Sequence, residues 1–187
     1  DADPALSGTL SGFLPADSVT ATYNRVAGET VLGGPYTISA TLSPSGVLGN
    51  YAITYNTATF TIMPKGLTIT GVTAQNKTYD RTTAATLNLG GATLVGVIAP
   101  DAVTINSSSA TGTIASANAG LRAVTAAGFG LNGAAGNYVL SAQPTVPSAT
   151  INPKGLTING LVANNKMYER TTAATFNLAG ASLVGVI

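Results

Sequence analysis

Four lysines stand where a proton-moving group could sit: Lys65, Lys77, Lys154 and Lys166. A serine or threonine nucleophile needs a lysine or carboxylate held against it, and this chain offers no imidazole instead, because it has no histidine. The same absence removes the commonest transition-metal ligand. The lack of cysteine removes thiolate sites and any disulfide framework. Each lysine falls at a joint or beside a turn, where a solvated side-chain end is ordinary. The acids number seven and are scattered. Only Asp1 and Asp3 form a tight pair, whereas calcium takes about six to eight oxygens, so this pair reads as a turn. The glycines punctuate strands and build no phosphate loop. The residues therefore predict no catalytic residue, no cofactor-binding residue and no metal ligand, and a protein that is not an enzyme.

Tyrosines are the next candidates. Tyr79 and Tyr168 hold matching places along the chain, as do Tyr51 and Tyr138. They could stack on sugars, or they could pack into a core with the hydroxyl bonded at its rim. Recurrence at one place in every repeat favours packing. Asp80-Arg81 and Glu169-Arg170 read as solvated turns. Asp17 and Asp101 are predicted to bond their own backbone in Asx turns. Alternating threonines at 57–61 and 68–70 suit a flat ice- or sugar-binding face, and equally the solvent side of an ordinary strand. Asn76-Lys-Thr78 and Asn106-Ser-Ser108 fit the N-glycosylation pattern, a weak signal.

The elements that carry these residues repeat. The 34 residues from Lys65 and the 34 from Lys154 lie 89 positions apart and agree at 25 places. A period this long marks tandem domains. The residues before Lys65 are a degenerate copy: Leu10-Ser-Gly12 and the Asp17 turn lie over Leu94-Val-Gly96 and the Asp101 turn. Gly49-Asn-Tyr51 lies over Gly136-Asn-Tyr138. Runs at 18–23, 36–42, 58–62 and 66–71 alternate with period two, as half-buried strands do. Gly-Pro, Ser-Pro and Gly-Gly pairs supply the turns. No window holds a helical stripe; Ala-rich patches such as 82–85 suit a single helical turn.

Composition agrees. Hydrophobic residues make up 45% of the chain and charged residues 8%, against about 25% charged in an average soluble domain. A net charge of +1 provides no footprint for nucleic acid, and no apolar run is long enough to span a membrane. The joints are short. Ile62-Met-Pro64 and Ile151-Asn-Pro153 run directly into Lys-Gly-Leu-Thr, and proline fixes φ there. Such joints behave as stiff spacers. Edge strands with few charges are ready templates for pairing, so self-association into fibres is a further expectation.

The motifs resemble two known families. Residues 1–62, with Gly8-Thr-Leu-Ser-Gly-Phe13, Pro35-Tyr-Thr-Ile-Ser-Ala40 and Gly49-Asn-Tyr51, resemble the MBG domain. Residues from Lys65 onward, with Lys77-Thr-Tyr-Asp-Arg-Thr-Thr83 and Gly136-Asn-Tyr138, resemble the YDG domain. The name motif departs, reading Tyr79-Asp80-Arg81 and Tyr168-Glu169-Arg170, so the glycine of the turn is replaced by a residue that takes φ > 0 less readily. The resemblance implies repeats of very large bacterial surface or secreted proteins, including adhesins. The expected architecture is an extended, tandem array of small all-β domains, immunoglobulin-like or β-grasp-like. Residues 1–64 form an MBG-like repeat without its N-terminal part, 65–153 a complete YDG-like repeat, and 154–187 the start of a second. The expected role is an extracellular stalk or surface fibre whose partners are neighbouring repeats, the ligand of its tip being outside this segment. The alternative is a multivalent carbohydrate- or ice-binding module.

Overall fold

The computed structural model describes residues 3–133 and 135–187. Strands account for 41% of the chain and helix for 5%, so the molecule is all-β, built from several small sheets. The first repeat contributes β1 (Thr20–Arg25), β2 (Tyr36–Ser43) and β3 (Ala58–Phe60). The second contributes β4 (Lys65–Thr70), β5 (Thr73–Ala74), β6 (Lys77–Thr78), β7 (Ala84–Ala85), β8 (Leu87–Asn88), β9 (Thr93–Val95), β10 (Val103–Asn106), β11 (Thr111–Ile114), β12 (Gly120–Ala127), β13 (Gly130–Gly133), β14 (Tyr138–Leu140) and β15 (Thr145–Asn152). The third contributes β16 (Thr157–Asn159), β17 (Val162–Ala163), β18 (Phe176–Asn177) and β19 (Ser182–Val184). The Ala-rich stretch expected to form a helical turn contains β7 instead, and Ala84 and Ala85 pair with Thr113 and Gly112. Packing beside a partner strand outweighs the helix preference of alanine there.

The chain falls into two compact units. One holds residues 1–67, 96–103 and 131–141; the other holds 68–95, 104–130 and 142–187. In the first, β2 pairs antiparallel with β1 and with β3. Tyr36 and Leu42 of β2 are buried, and the Arg25 guanidinium lies 5.0 Å from the Tyr36 ring centre and 5.2 Å from that of Phe60. Asp3 and Glu29 hold its charge at 2.7 and 2.5 Å. A cation so paired can sit on aromatic faces in a thin core.

In the second unit the order β6-β15-β12-β11-β7 forms a five-stranded sheet, antiparallel except that β15 and β6 run parallel. Ile114, Val124, Ala149 and Ile151 form its core, with Tyr79, Leu87 and Val146 packed against it. Ala149 and Ile151 are alternate positions of β15, and a register shift against β12 at Arg122–Val124 brings Val146 onto the same side. β4 is divided between the units: Lys65–Leu67, in the first, pair parallel with β14, and Thr68–Thr70, in the second, pair antiparallel with β9. Its Leu67 and Ile69 are buried, at 0% and 4% exposure.

Candidate functional site

The side chains with chemical potential are spent on two interlocks that recur along the chain. The first is a lysine cage. Lys77, on β6, sends Nζ to four oxygens: Asp80 Oδ1 at 2.9 Å, the Thr82 hydroxyl and carbonyl at 2.8 Å each, and the Ala84 carbonyl at 3.0 Å. An ammonium has three N–H donors, so all are used and one is shared. Asp80 Oδ1 also accepts from the Thr82 amide and hydroxyl, both at 2.9 Å. The hydrogen bond from Lys77 foremost, then the two Thr82 donors, hold the Asp80 carboxyl down from its ordinary 3.8 to about 2.

The third repeat rebuilds the cage. Lys166 Nζ reaches Glu169 Oε1 at 2.8 Å, the Thr171 carbonyl and hydroxyl at 2.9 and 3.0 Å, and the Ala173 carbonyl at 2.5 Å. The Thr171 hydroxyl donates to Glu169 at 2.7 Å, and Lys166 lowers the pKa of Glu169. Between the acid and the threonine stand Arg81 and Arg170, at φ 68° and 57°. The turn does require a left-handed residue, and arginine occupies it in both copies. A lysine fixed by four oxygens is a clamp for that turn and is in no position to take a proton from a nucleophile. Lys65 is exposed and Lys154 half-buried.

The second interlock is a tyrosine staple. The Tyr138 hydroxyl donates to Asp101 Oδ2 at 2.5 Å and accepts the Ile98 amide at 3.3 Å. In the first repeat the Tyr51 hydroxyl donates to Asp17 and accepts the Leu14 amide at 3.1 Å. The carboxylates expected to cap their own turns are thus bonded to a tyrosine 34 or 37 residues away. Each staple ties a turn to the Gly-Asn-Tyr segment. The neighbouring carboxylate raises both phenol pKa values. The sequence reading paired the tyrosines with each other by position and missed their pairing with the aspartates. The signal was available, since Asp17 and Tyr51 recur together as Asp101 and Tyr138.

Of the remaining candidates, Tyr79 packs against the core while Tyr168 is 88% exposed. Asp1 lies outside the described residues; Asp3 is paired with Arg25. The Asn76 side chain accepts the Thr150 amide at 2.7 Å, and Asn106 caps its own turn through Ser108. Threonines 70 and 93 bond to each other across β4 and β9 at 2.9 Å. Among the described residues no group of three His, Cys, Asp or Glu side chains converges as a metal site, and no helix is long and apolar enough to cross a membrane.

Comparison with known families places these small β-domains among repeats typical of large bacterial surface proteins. Residues 1–61 match the family model of the MBG domain (YGX type) and residues 63–146 that of the YDG domain. The chain carries an MBG domain followed by a YDG domain. No match was found among curated proteins or among solved structures.

Proposed function

We propose that this segment is a mechanical spacer, a run of stalk repeats in a large bacterial extracellular adhesin or surface fibre. One observation carries the reading: the same locks recur at the same place in successive repeats, and each uses its charged or hydroxyl groups on another part of its own repeat. Lys77 and Lys166 are consumed by their turns. Tyr51 and Tyr138 are consumed by Asp17 and Asp101. Side chains so engaged are withheld from a ligand and are well suited to holding a small domain together. The prolines at 64 and 153 support the same reading, since each restricts the backbone at a repeat boundary. The domain boundaries that follow are 1–64, 65–153 and 154–187.

Thermal melting in calcium and in chelator tests this reading. A cation that bound only the folded state, at a hundred times its dissociation constant, would add about 2.7 kcal/mol. The two curves are expected to coincide. A clear rise of Tm in calcium would contradict the spacer. Binding of the chain to a glycan array would favour the carbohydrate-binding module instead.

A further inference from the structure

We propose that Asn137 is a latch between repeats: it grips a loop of the MBG domain and so fixes the joint between that domain and the YDG domain after it. Its Oδ1 accepts the backbone N–H of Val31 at 2.9 Å, across 106 residues of sequence, in a half-buried place. Both residues belong to one compact unit, which joins residues 1–67 to 96–103 and 131–141. The contact passes between repeats, whereas the lysine cages and tyrosine staples stay inside one. Beside it, Leu32 lies against Gly136. A Cβ on Gly136 would stand 2.8 Å from Leu32 Cδ1 and 3.1 Å from its Cγ, so glycine is what lets the leucine settle on the backbone there.

Each side of the latch is held by its own repeat. On the MBG side the hydroxyl of buried Tyr36 accepts the Thr30 amide at 3.0 Å and donates to the Thr30 carbonyl at 2.6 Å. The Thr30 hydroxyl accepts the Gly33 amide at 3.1 Å, and the Gly34 amide donates to the Val31 carbonyl at 3.3 Å. Arg25 lies over the Tyr36 ring and donates to the Gly28 carbonyl at 2.5 Å. These bonds close residues 28–34 into a turn that offers the Val31 N–H outside its own domain. On the YDG side Asn137 ends the short turn of 3-10 helix Ala135–Asn137. The next residue is Tyr138, buried and stapled to Asp101 and the Ile98 amide. A donor and an acceptor fixed beforehand lose little freedom on meeting, so one hydrogen bond carries more of its worth.

Within Gly136-Asn-Tyr138 the two polar residues thus have separate duties. The tyrosine closes its own repeat, and the asparagine ties that repeat to the one before. Pro64 restricts a single backbone angle of the connection and leaves its neighbours free to turn. A body held at one point swings; a second tie, far from the connecting chain, removes the swing. The latch deepens the stiff-spacer reading by naming a second restraint at the first joint, and it rests on that reading for its purpose. The spacer reading depends also on the joint at 153, which the latch does not touch, so either can fail alone.

Amide hydrogen exchange on the full chain reads the latch. Asn137→Ala is expected to speed exchange of the Val31 amide at least about fivefold, the loss of one hydrogen bond. The Thr30 amide should exchange as before, because Tyr36 still holds it. Asn137→Asp keeps an acceptor oxygen in place and should keep Val31 slow. The chain has no cysteine, so nitroxides on Val26→Cys and Val139→Cys, both exposed positions, read the distance across the joint. Asn137→Ala is expected to widen that distance distribution with Pro64 still present, and Asn137→Asp to leave it narrow. A Val31 rate unchanged by Asn137→Ala would overturn the latch, as would an unwidened distance. Equal acceleration of Thr30 and Val31 would overturn it too, since Asn137 would then be holding the loop's own fold rather than the joint.

Discussion

Arg81 and Arg170 are where residue chemistry is under the most tension. Each occupies left-handed backbone, at φ 68° and 57°, which costs a side-chain-bearing residue about 1 kcal/mol or more. Glycine avoids that cost but loses up to about 1 kcal/mol through the freer unfolded chain. Arg81→Gly is therefore expected to be neutral to stabilising, by up to about 1 kcal/mol, in urea denaturation. A loss of that size would mean that the arginine side chain contributes more than its backbone strain removes. The cage beside it makes a pH prediction. Asp80 titrates near 2 in the folded protein against an ordinary 3.8. A folded-state pKa below the unfolded one means that the unfolded chain binds the proton first, so the stability it supplies is present above about 4 and is lost as pH falls through about 2. Carbon-13 titration of Asp80 should show that midpoint, and Lys77→Met should return it toward the ordinary value. An unchanged midpoint in the variant would remove Lys77 as the cause. The repeated Lys, Asp/Glu, Arg and Thr were visible in sequence. The cage was not, because spacing along a turn does not reveal that the backbone at Arg81 reverses and brings Lys77 back over Thr82.

At the scale of elements, β4 and β16 are an internal control. Residues 65–70, which form β4, and 154–159, which contain β16, differ only at the last position, Thr70 against Asn159. Leu67 is fully buried, whereas Leu156 is 53% exposed. Leu67→Ala is expected to destabilise the YDG domain by about 3 kcal/mol, and Leu156→Ala to cost well under about 1 kcal/mol, as read by hydrogen exchange and denaturant midpoints. Equal costs would mean that exposure in the two copies is alike. The turn after β4 is equally specified. Gly71 has φ 78°, and a Cβ there would stand 2.0 Å from the Gly91 carbonyl oxygen; Gly160 repeats this against Gly180. Period-two alternation located β1, β2, β3 and β4 from sequence, because one face of each meets a core. The two-residue ladders β5 to β8 were not legible, and the Ala-rich 82–85 stretch suggested a helical turn. Pairs this short have no period to read, and distant partners such as Thr113 and Asn152 decide them.

At the scale of the molecule, the tandem organisation was the most legible feature, because a repeat compares the chain with itself. The MBG and YDG motifs placed the families, while the pairing of β4 with β14, 73 residues from Lys65 to Tyr138, had no local signature. The spacer reading depends on the joints at 64 and 153. Small-angle scattering of the chain, against a variant with Pro64→Gly and two serines inserted after it, tests that reading most directly. The natural chain is expected to give a narrow distribution of interdomain distances and the variant a broad one. A natural chain that already scatters like the loosened variant would contradict the stalk.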